Sequence, residues 1–121
     1  MYDDVYKYSL ETILEHVNIC NKRFSEINIP TDFVSTEYGK TLLDAIVTRL
    51  QAIGENVKNT SRKHNLLQSN YPEMEWNKII RFRDFISHHY EMLDYEIVYE
   101  IGKNYLPKLE FVIKTELAKF E

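Results

Sequence analysis

Arg83, Asp84, His88 and Tyr90 are the residues of this chain whose types and spacing could do chemistry. A guanidinium keeps its charge, offers five N–H donors and is costly to bury unpaired, so it suits a phosphate or a carboxylate. An imidazole exchanges a proton near neutral pH, and a carboxylate four residues away on a helix can hold it in one tautomer. We therefore expect Asp84 to pair with His88, and Arg83 and His88 to act on a phosphate.

The same residues lie on a predicted helix with a continuous apolar face. At about 100° of rotation per residue, Arg83 falls near the centre of an arc formed by Trp76, Ile79, Ile80, Phe82, Ile86 and Tyr90. A helix that needed only a core would carry leucine at position 83, so the arginine indicates a site or an interface. His88 lies about 140° around the helix from Arg83. Both reach one phosphate only if the helix loosens at His88 or a second copy supplies one group, which favours a symmetric dimer.

The spacing of an arginine, four residues, a histidine, one residue and a tyrosine resembles the signature of the HEPN superfamily, and more closely its HepT-like branch. The resemblance extends over roughly residues 40–113 and includes, in order, the segments LQAIGENVK, YPEMEWNKII, LDYEIVYEI and LPKL. Asp84 fits as well, because the residue after the arginine is commonly polar. Many relatives carry glycine where this chain has His89, which gives His88 a neighbouring competitor; we interpret His89 as structural or interfacial.

The resemblance implies a small all-helical, homodimeric, metal-independent ribonuclease that is the toxin of a toxin–antitoxin pair. Its partner would be a small nucleotidyltransferase antitoxin, which silences the toxin by transferring AMP from ATP to the signature tyrosine. Arg83 and His88 would then be catalytic, Asp84 would support His88, and Tyr90 would be the modified residue. The alternative is a catalytically inactive HEPN module that binds a nucleotide or a protein partner without cleaving RNA.

The chemistry needs few groups, because RNA carries its own nucleophile, the 2′-hydroxyl. An enzyme need only remove that proton, protonate the leaving 5′-oxygen and stabilise charge on the phosphoryl oxygens. A 2′,3′-cyclic phosphate and a 5′-hydroxyl are the expected products, with no metal or other cofactor. No histidine has a glutamate three residues before it, which excludes the Glu-x-x-His pairs of di-iron helix bundles.

Composition and charge limit the class of protein. A chain of 121 residues, with 44% hydrophobic residues and few glycines and prolines, suits one helical domain over residues 1–121. The lone Cys20 and the absence of a signal sequence or an apolar span of about 18 residues predict a cytoplasmic protein without membrane contact. A net charge of −4 argues mildly against unspecific RNA binding. Six cations are concentrated in and before the signature: Lys58, Arg62, Lys63, Lys78, Arg81 and Arg83. They form either a positive groove beside the signature or a solvated helix end and loop.

Apolar spacing predicts two helices before the signature, from about residue 3 to 27 and from about 36 to 59. Residues 60–71 are polar and predict a loop with a short turn of helix. Gly54 lies inside the second helix at a cost of about 1 kcal/mol relative to alanine. Close approach of another helix is the usual compensation.

The second half predicts helices separated by prolines and a cap. Pro72 fits the first turn of the signature helix, which should end near Tyr90. Asp94 should cap the next helix, and Pro107 should kink or break that helix before a last segment. The sequence therefore predicts an all-α fold, an antiparallel bundle of four to five helices.

Overall fold

A computed structural model of the protein describes residues 2–63 and 65–121, and for residues 2 and 3 it describes the backbone alone. The described chain is helical with no β-strand, which confirms the predicted all-α class. The α-helices are α1 (Tyr2–Phe24), α2 (Glu37–Lys63), α3 (Leu66–Asn70), α4 (Trp76–His89), α5 (Tyr95–Glu100) and α6 (Leu106–Ala118). A helical turn joins α5 to α6, so that these two form one long rod. The bundle therefore consists of four helical rods, α1, α2, α4 and α5–α6, together with the short α3.

The rods pack in a fixed order around one core. Helix α1 contacts α2 and α6, and α2 contacts α1 on one side and α4 on the other. The apolar spacing of α2 predicts a stripe of Leu42, Leu43, Ile46, Leu50 and Ile53; all are buried except Leu43, which is partly buried. Val47 and Val57 are buried as well. Helix α2 therefore lies at the centre of the bundle and carries α4 on its outer side. Among the described residues, no helix is both long enough and apolar enough to cross a membrane.

Several predicted boundaries differ from the structure. Helix α1 ends at Phe24 instead of near residue 27. Helix α2 continues to Lys63 instead of ending near residue 59, because Val57 and Thr60 are buried and extend its packed face. Asn65, in a left-handed conformation with φ of 50°, precedes the short helix α3, whose Leu67 is buried. The predicted turn of helix within residues 60–71 is thus present, and the loop around it is shorter than expected.

The prediction for Pro72 was wrong. Helix α4 begins at Trp76, four residues later, and Pro72 follows Tyr71 in a turn closed by the Met74 N–H bonding to the Tyr71 carbonyl at 3.1 Å. Proline is favoured at that second position of a turn because its φ is already set. The Trp76 indole N–H also donates to the Tyr71 carbonyl, at 2.9 Å, which fixes the start of α4 against this turn.

The chain after α4 shows how a proline fits within a rod. Asp94 caps α5 as predicted, accepting from the Glu96 N–H at 2.9 Å. Residues Ile101–Tyr105 then form a π-helical turn, and Pro107 lies in the first turn of α6. Because proline has no backbone N–H, one carbonyl of the preceding turn lacks its usual hydrogen-bond donor, and the wider π-helical turn accommodates this carbonyl. The rod therefore continues through Pro107 with a local change of winding and does not break.

Glu116 is a buried carboxylate that ties α6 to two other parts of the bundle. It is 3% exposed and accepts hydrogen bonds from Tyr6 at 2.8 Å, Asn70 at 3.0 Å and Tyr71 at 3.0 Å, with the Lys119 ammonium at 2.8 Å. Burial raises the pKa of Glu116, but the hydrogen bonds from Lys119 and the other donors outweigh it and leave the pKa below its ordinary value.

Replacing Glu116 with glutamine is expected to lower the free energy of unfolding by about 1–3 kcal/mol, because buried donors lose a charged acceptor. The pKa of Glu116 is lowered on folding, so its contribution is present above the ordinary carboxyl pKa and is lost as the pH falls through the lowered value. Urea unfolding of both proteins between pH 3 and 7 measures this. An equal loss of stability on acidification in the two proteins would contradict the assignment.

Candidate active site

The contact between α2 and α4 is built around Gly54. A Cβ at this position would lie 2.6 Å from the Arg83 Cβ and 2.8 Å from the Ile79 carbonyl oxygen. Only a residue without a side chain allows the two backbones to approach this closely. The predicted close approach at Gly54 is confirmed, and it presses the stem of Arg83 directly against α2.

Arg83 lies at the edge of the predicted apolar face, with carboxylates at both ends of its fork. Trp76, Ile79, Phe82 and Ile86 are buried, whereas the Arg83 side chain remains 29% exposed. Its Nη1 donates to Asp84 Oδ1 at 2.9 Å, and its Nη2 forms an ion pair with Glu55 of α2. The guanidinium is therefore fixed in place by two carboxylates. Its other N–H groups have no partner among the described residues and are available to a phosphate.

The predicted pairing of Asp84 with His88 was wrong. Its Oδ1 accepts from Arg83 and lies 3.5 Å from the Lys58 ammonium of α2, and no hydrogen bond links it to His88 in the described part of the chain. The Arg83 hydrogen bond, opposed by desolvation and assisted by Lys58, lowers the pKa of Asp84. Arg83 and Lys58 are both cations close to this carboxylate, so Asp84 orients Arg83 and not His88.

His88 is exposed in the last turn of α4, next to His89. Its ring lies edge-on to the ring of His89, with centroids 6.4 Å apart, while His89 packs against Phe85 at 5.3 Å. No hydrogen bond or ion pair joins His88 to another described residue. Helix α4 continues through His88, and its backbone leaves the helical conformation only at His89, with φ of −138° and ψ of 40°. The helix therefore does not loosen before His88 in a way that would bring the imidazole round to Arg83.

Tyr90 begins a short 3₁₀ turn, Tyr90–Met92, and leaves the face of α4. The residue is 44% exposed, and its hydroxyl donates to Asp44 Oδ1 at 2.5 Å. This hydrogen bond, together with desolvation and the negative charge of Asp44, raises the pKa of Tyr90 to about 12. On α2, Asp44 and Glu55 are eleven residues apart, about 16 Å along the helix axis. Asp44 thus holds the hydroxyl of Tyr90, and Glu55 the guanidinium of Arg83, at positions about three turns apart on α2.

The six cations of the middle segment divide into two groups. Lys58, Lys78 and Arg83 are engaged by carboxylates, Lys78 by Glu100 at 2.9 Å. Arg62, Lys63 and Arg81 are exposed, with no acidic partner among the described residues. A continuous positive groove is therefore not formed by all six. Three exposed cations remain for an anionic ligand, two in the last turn of α2 and Arg81 within α4.

The structure brings together Arg83 and Asp84 and leaves His88 and Tyr90 apart from them. No hydrogen bond or ion pair joins Arg83, His88 and Tyr90 to one another within the described residues. Glu55 is the site residue that the sequence reasoning missed, although its position next to Gly54 was the available signal. Among the same residues, no group of three or more histidine, cysteine, aspartate or glutamate side chains is arranged to hold a metal ion.

An all-α bundle with an arginine and a histidine on one helix, at this spacing, is the arrangement of a HEPN-like protein. The family model described as ribonuclease HepT-like matches residues 13–116, which include all of α2 and α4. The chain belongs to this HepT-like family.

Two relatives illustrate the similarity. Putative RNase MJ0127 of Methanocaldococcus jannaschii is 32% identical over 94 residues, covering 73% of this chain and 75% of the relative. Putative RNase TTE0752 of Caldanaerobacter subterraneus subsp. tengcongensis is 33% identical over 110 residues, covering 91% of this chain and 92% of the relative. No solved structure matches the chain.

Proposed function

We propose that this protein is a metal-independent endoribonuclease, the toxin of a toxin–antitoxin pair, with Arg83 and His88 as its catalytic residues. The observation that carries the proposal is the membership of the HepT-like ribonuclease family together with the state of Arg83 on α4. The guanidinium is fixed by two carboxylates, is partly exposed and has N–H groups to spare. Such a group is suited to charge on a phosphate in a transition state.

The proposed reaction uses the 2′-hydroxyl of the RNA as its nucleophile. The 2′-oxygen attacks the adjacent phosphorus, and the bond to the 5′-oxygen breaks, so that a 2′,3′-cyclic phosphate and a 5′-hydroxyl result. One imidazole takes the 2′-proton and another protonates the leaving oxygen. Arg83 donates to the phosphoryl oxygens as their charge increases, and a planar fork matches two of them at once.

A homodimer is the proposed active form. Arg83 and His88 face different directions on a helix that stays regular through both, so a second copy would supply the missing partner for each. Apolar side chains at the end of α4 and in the segment after it support such a contact, since Phe85, Met92 and Ile97 line one shallow pocket and are all substantially exposed. Exposed apolar patches of this kind commonly mark protein interfaces.

Replacing His88 with alanine is expected to lower RNA cleavage about 100-fold or more, since general acid–base catalysis contributes at least that much. The assay follows purified protein and RNA in excess EDTA, and the 3′ ends of the products are identified by mass. His89→Ala is the matched control and should cleave as wild type, because that ring packs on Phe85. Loss of activity in His89→Ala with activity retained in His88→Ala would reverse the assignment, and loss of all activity in EDTA would contradict metal independence.

A second candidate is a catalytically inactive HEPN module that binds a nucleotide or a protein partner. The observation that favours it is the engagement of Arg83 by Glu55 and Asp84, which is also how a purely structural arginine is held. Wild type and His88→Ala would then be equally inert in the same assay.

We also propose the regulation of the toxin by a nucleotidyltransferase antitoxin that transfers AMP to Tyr90. The support from the structure is the exposure of Tyr90 beside His88, where a bulky anion would interfere with an RNA phosphate.

A further inference from the structure

Asp44 is a carboxylate whose side chain has one protein partner in the described structure, the hydroxyl of Tyr90. The donor and acceptor oxygens are 2.5 Å apart, and the two residues are 46 positions apart in sequence. Asp44 is exposed on α2, and no lysine or arginine of the described chain forms an ion pair with it. Within the described residues, the hydrogen bond to the Asp44 carboxylate therefore comes from the Tyr90 hydroxyl alone.

The chain contains a similar pair that serves as a comparison. Tyr38 donates to Glu26 Oε1 at 2.8 Å, and Tyr38 is 60% exposed. A tyrosine bonded to a surface carboxylate is thus not confined to position 90. Tyr90 differs from Tyr38 by its shorter hydrogen bond and by its place two residues after His88.

A tyrosine hydroxyl must lose its proton to form a bond to phosphorus. The pKa of Tyr90 is raised to about 12, so free phenolate is scarce at neutral pH. The proton must then leave as the oxygen attacks, and it needs an acceptor already within hydrogen-bond distance. Asp44 Oδ1 lies at that distance, 2.5 Å from the Tyr90 hydroxyl oxygen, and in the described structure no other acceptor bonds this hydroxyl.

We propose that Asp44 is the proton acceptor and orienting group for transfer of a nucleotide onto Tyr90, an inference that rests on the modification proposed above. The co-reactant is a nucleoside triphosphate, ATP. Tyr90 Oη attacks the α-phosphorus and forms a new O–P bond, while the bond from that phosphorus to the β-phosphate oxygen breaks and pyrophosphate leaves with the electron pair. The Oη proton passes to Asp44 Oδ1 and is later released to water.

The lack of an ion pair between Asp44 and any described lysine or arginine fits its role as a base. A lysine or arginine beside Asp44 would weaken it as a base, since a cation stabilises the ionised form of a carboxyl group. The hydrogen bond additionally limits rotation of the phenol, so the attacking oxygen is held in one direction while the ring stays accessible. Holding the reacting atom in place lowers the entropy that must be lost in the transition state.

The test compares Asp44→Asn with wild type and with Glu26→Gln, the matched variant that removes the Tyr38 pair. Each protein is incubated with a nucleotidyltransferase of the proposed antitoxin class and ATP, and the initial rate of AMP addition to the Tyr90 peptide is measured by mass spectrometry between pH 6 and 9. Thermal unfolding checks that the variants are folded. A partner-free measurement uses N-acetylimidazole, which acetylates tyrosine hydroxyls, with the Tyr38 peptide as internal reference.

Asp44→Asn is expected to slow AMP addition at pH 7 by about 10-fold or more, with a rate that climbs as the pH rises, because hydroxide must then remove the proton. Wild type and Glu26→Gln should show the same faster and flatter profile, and Tyr90 acetylation should fall in Asp44→Asn alone. Equal rates and equal profiles in Asp44→Asn and wild type would overturn the role of Asp44, as would faster modification of the variant, which would make the hydrogen bond a shield. If wild type gains AMP only on another residue or not at all, the proposed modification itself fails and this inference fails with it.

Discussion

Replacing Arg83 with alanine is expected to lower RNA cleavage by about 1000-fold or more, the scale of an arginine that stabilises charge in phosphoryl transfer. The reason is the geometry of the α2–α4 contact. The stem of Arg83 is pressed against Gly54, and Glu55 and Asp84 hold the two ends of the fork. Arg83→Lys should restore little, because an ammonium is a point charge and cannot replace a planar fork that meets two carboxylates and a phosphate.

Loss of activity in Arg83→Ala needs a control for stability, because the substitution leaves Glu55 without its cation. The double variant Arg83→Ala with Glu55→Gln removes the unpaired charge as well. We expect it to regain thermal stability and to remain inactive on RNA. Thermal unfolding and a cleavage assay on the same preparations separate the two effects. Full activity in Arg83→Lys, or recovery of cleavage in the double variant, would contradict a catalytic guanidinium.

The parts of this fold that could be predicted from sequence are those fixed by local periodicity. The apolar face of α4 was placed correctly from Trp76 to Ile86, because a helical repeat depends only on neighbouring residues. The packing at Gly54 was predicted for a similar reason, since a glycine inside a helix is costly unless another backbone lies close. The cap at Asp94 follows from the same local chemistry.

The pairings within the site could not be read from local spacing. Asp84 and His88 are four residues apart and could have paired, but Arg83 and Lys58 compete for the carboxylate and are positively charged. Lys58 reaches Asp84 from another helix, so only the tertiary structure decides the outcome. Assigning Tyr90 to the apolar arc was wrong because α4 ends at His89 and the chain turns.

The hydrogen bond between Tyr90 and Asp44 determines where AMP added by the proposed antitoxin would lie. The sequence placed Tyr90 on the same helical arc as Arg83, whereas the structure directs its hydroxyl to Asp44, about three turns of α2 from Glu55. AMP on Tyr90 would therefore add its charge and bulk next to His88 first. Silencing would then act on the approach of RNA to the imidazole and across any dimer contact formed by the exposed apolar side chains around it.

Replacing Tyr90 with phenylalanine is expected to leave RNA cleavage near the wild-type rate and to abolish silencing by the nucleotidyltransferase and ATP. The substitution removes the hydroxyl and its hydrogen bond to Asp44 but keeps the ring, so only the acceptor of the nucleotide is lost. The measurement follows RNA cleavage before and after treatment, together with the mass of the Tyr90 peptide. Tyr38→Phe is the matched control, since it removes another exposed tyrosine hydroxyl that bonds a carboxylate, and it should be silenced as wild type. If Tyr90→Phe is silenced as fully as wild type, the antitoxin inhibits by binding alone, because no nucleotide can then be attached at this position.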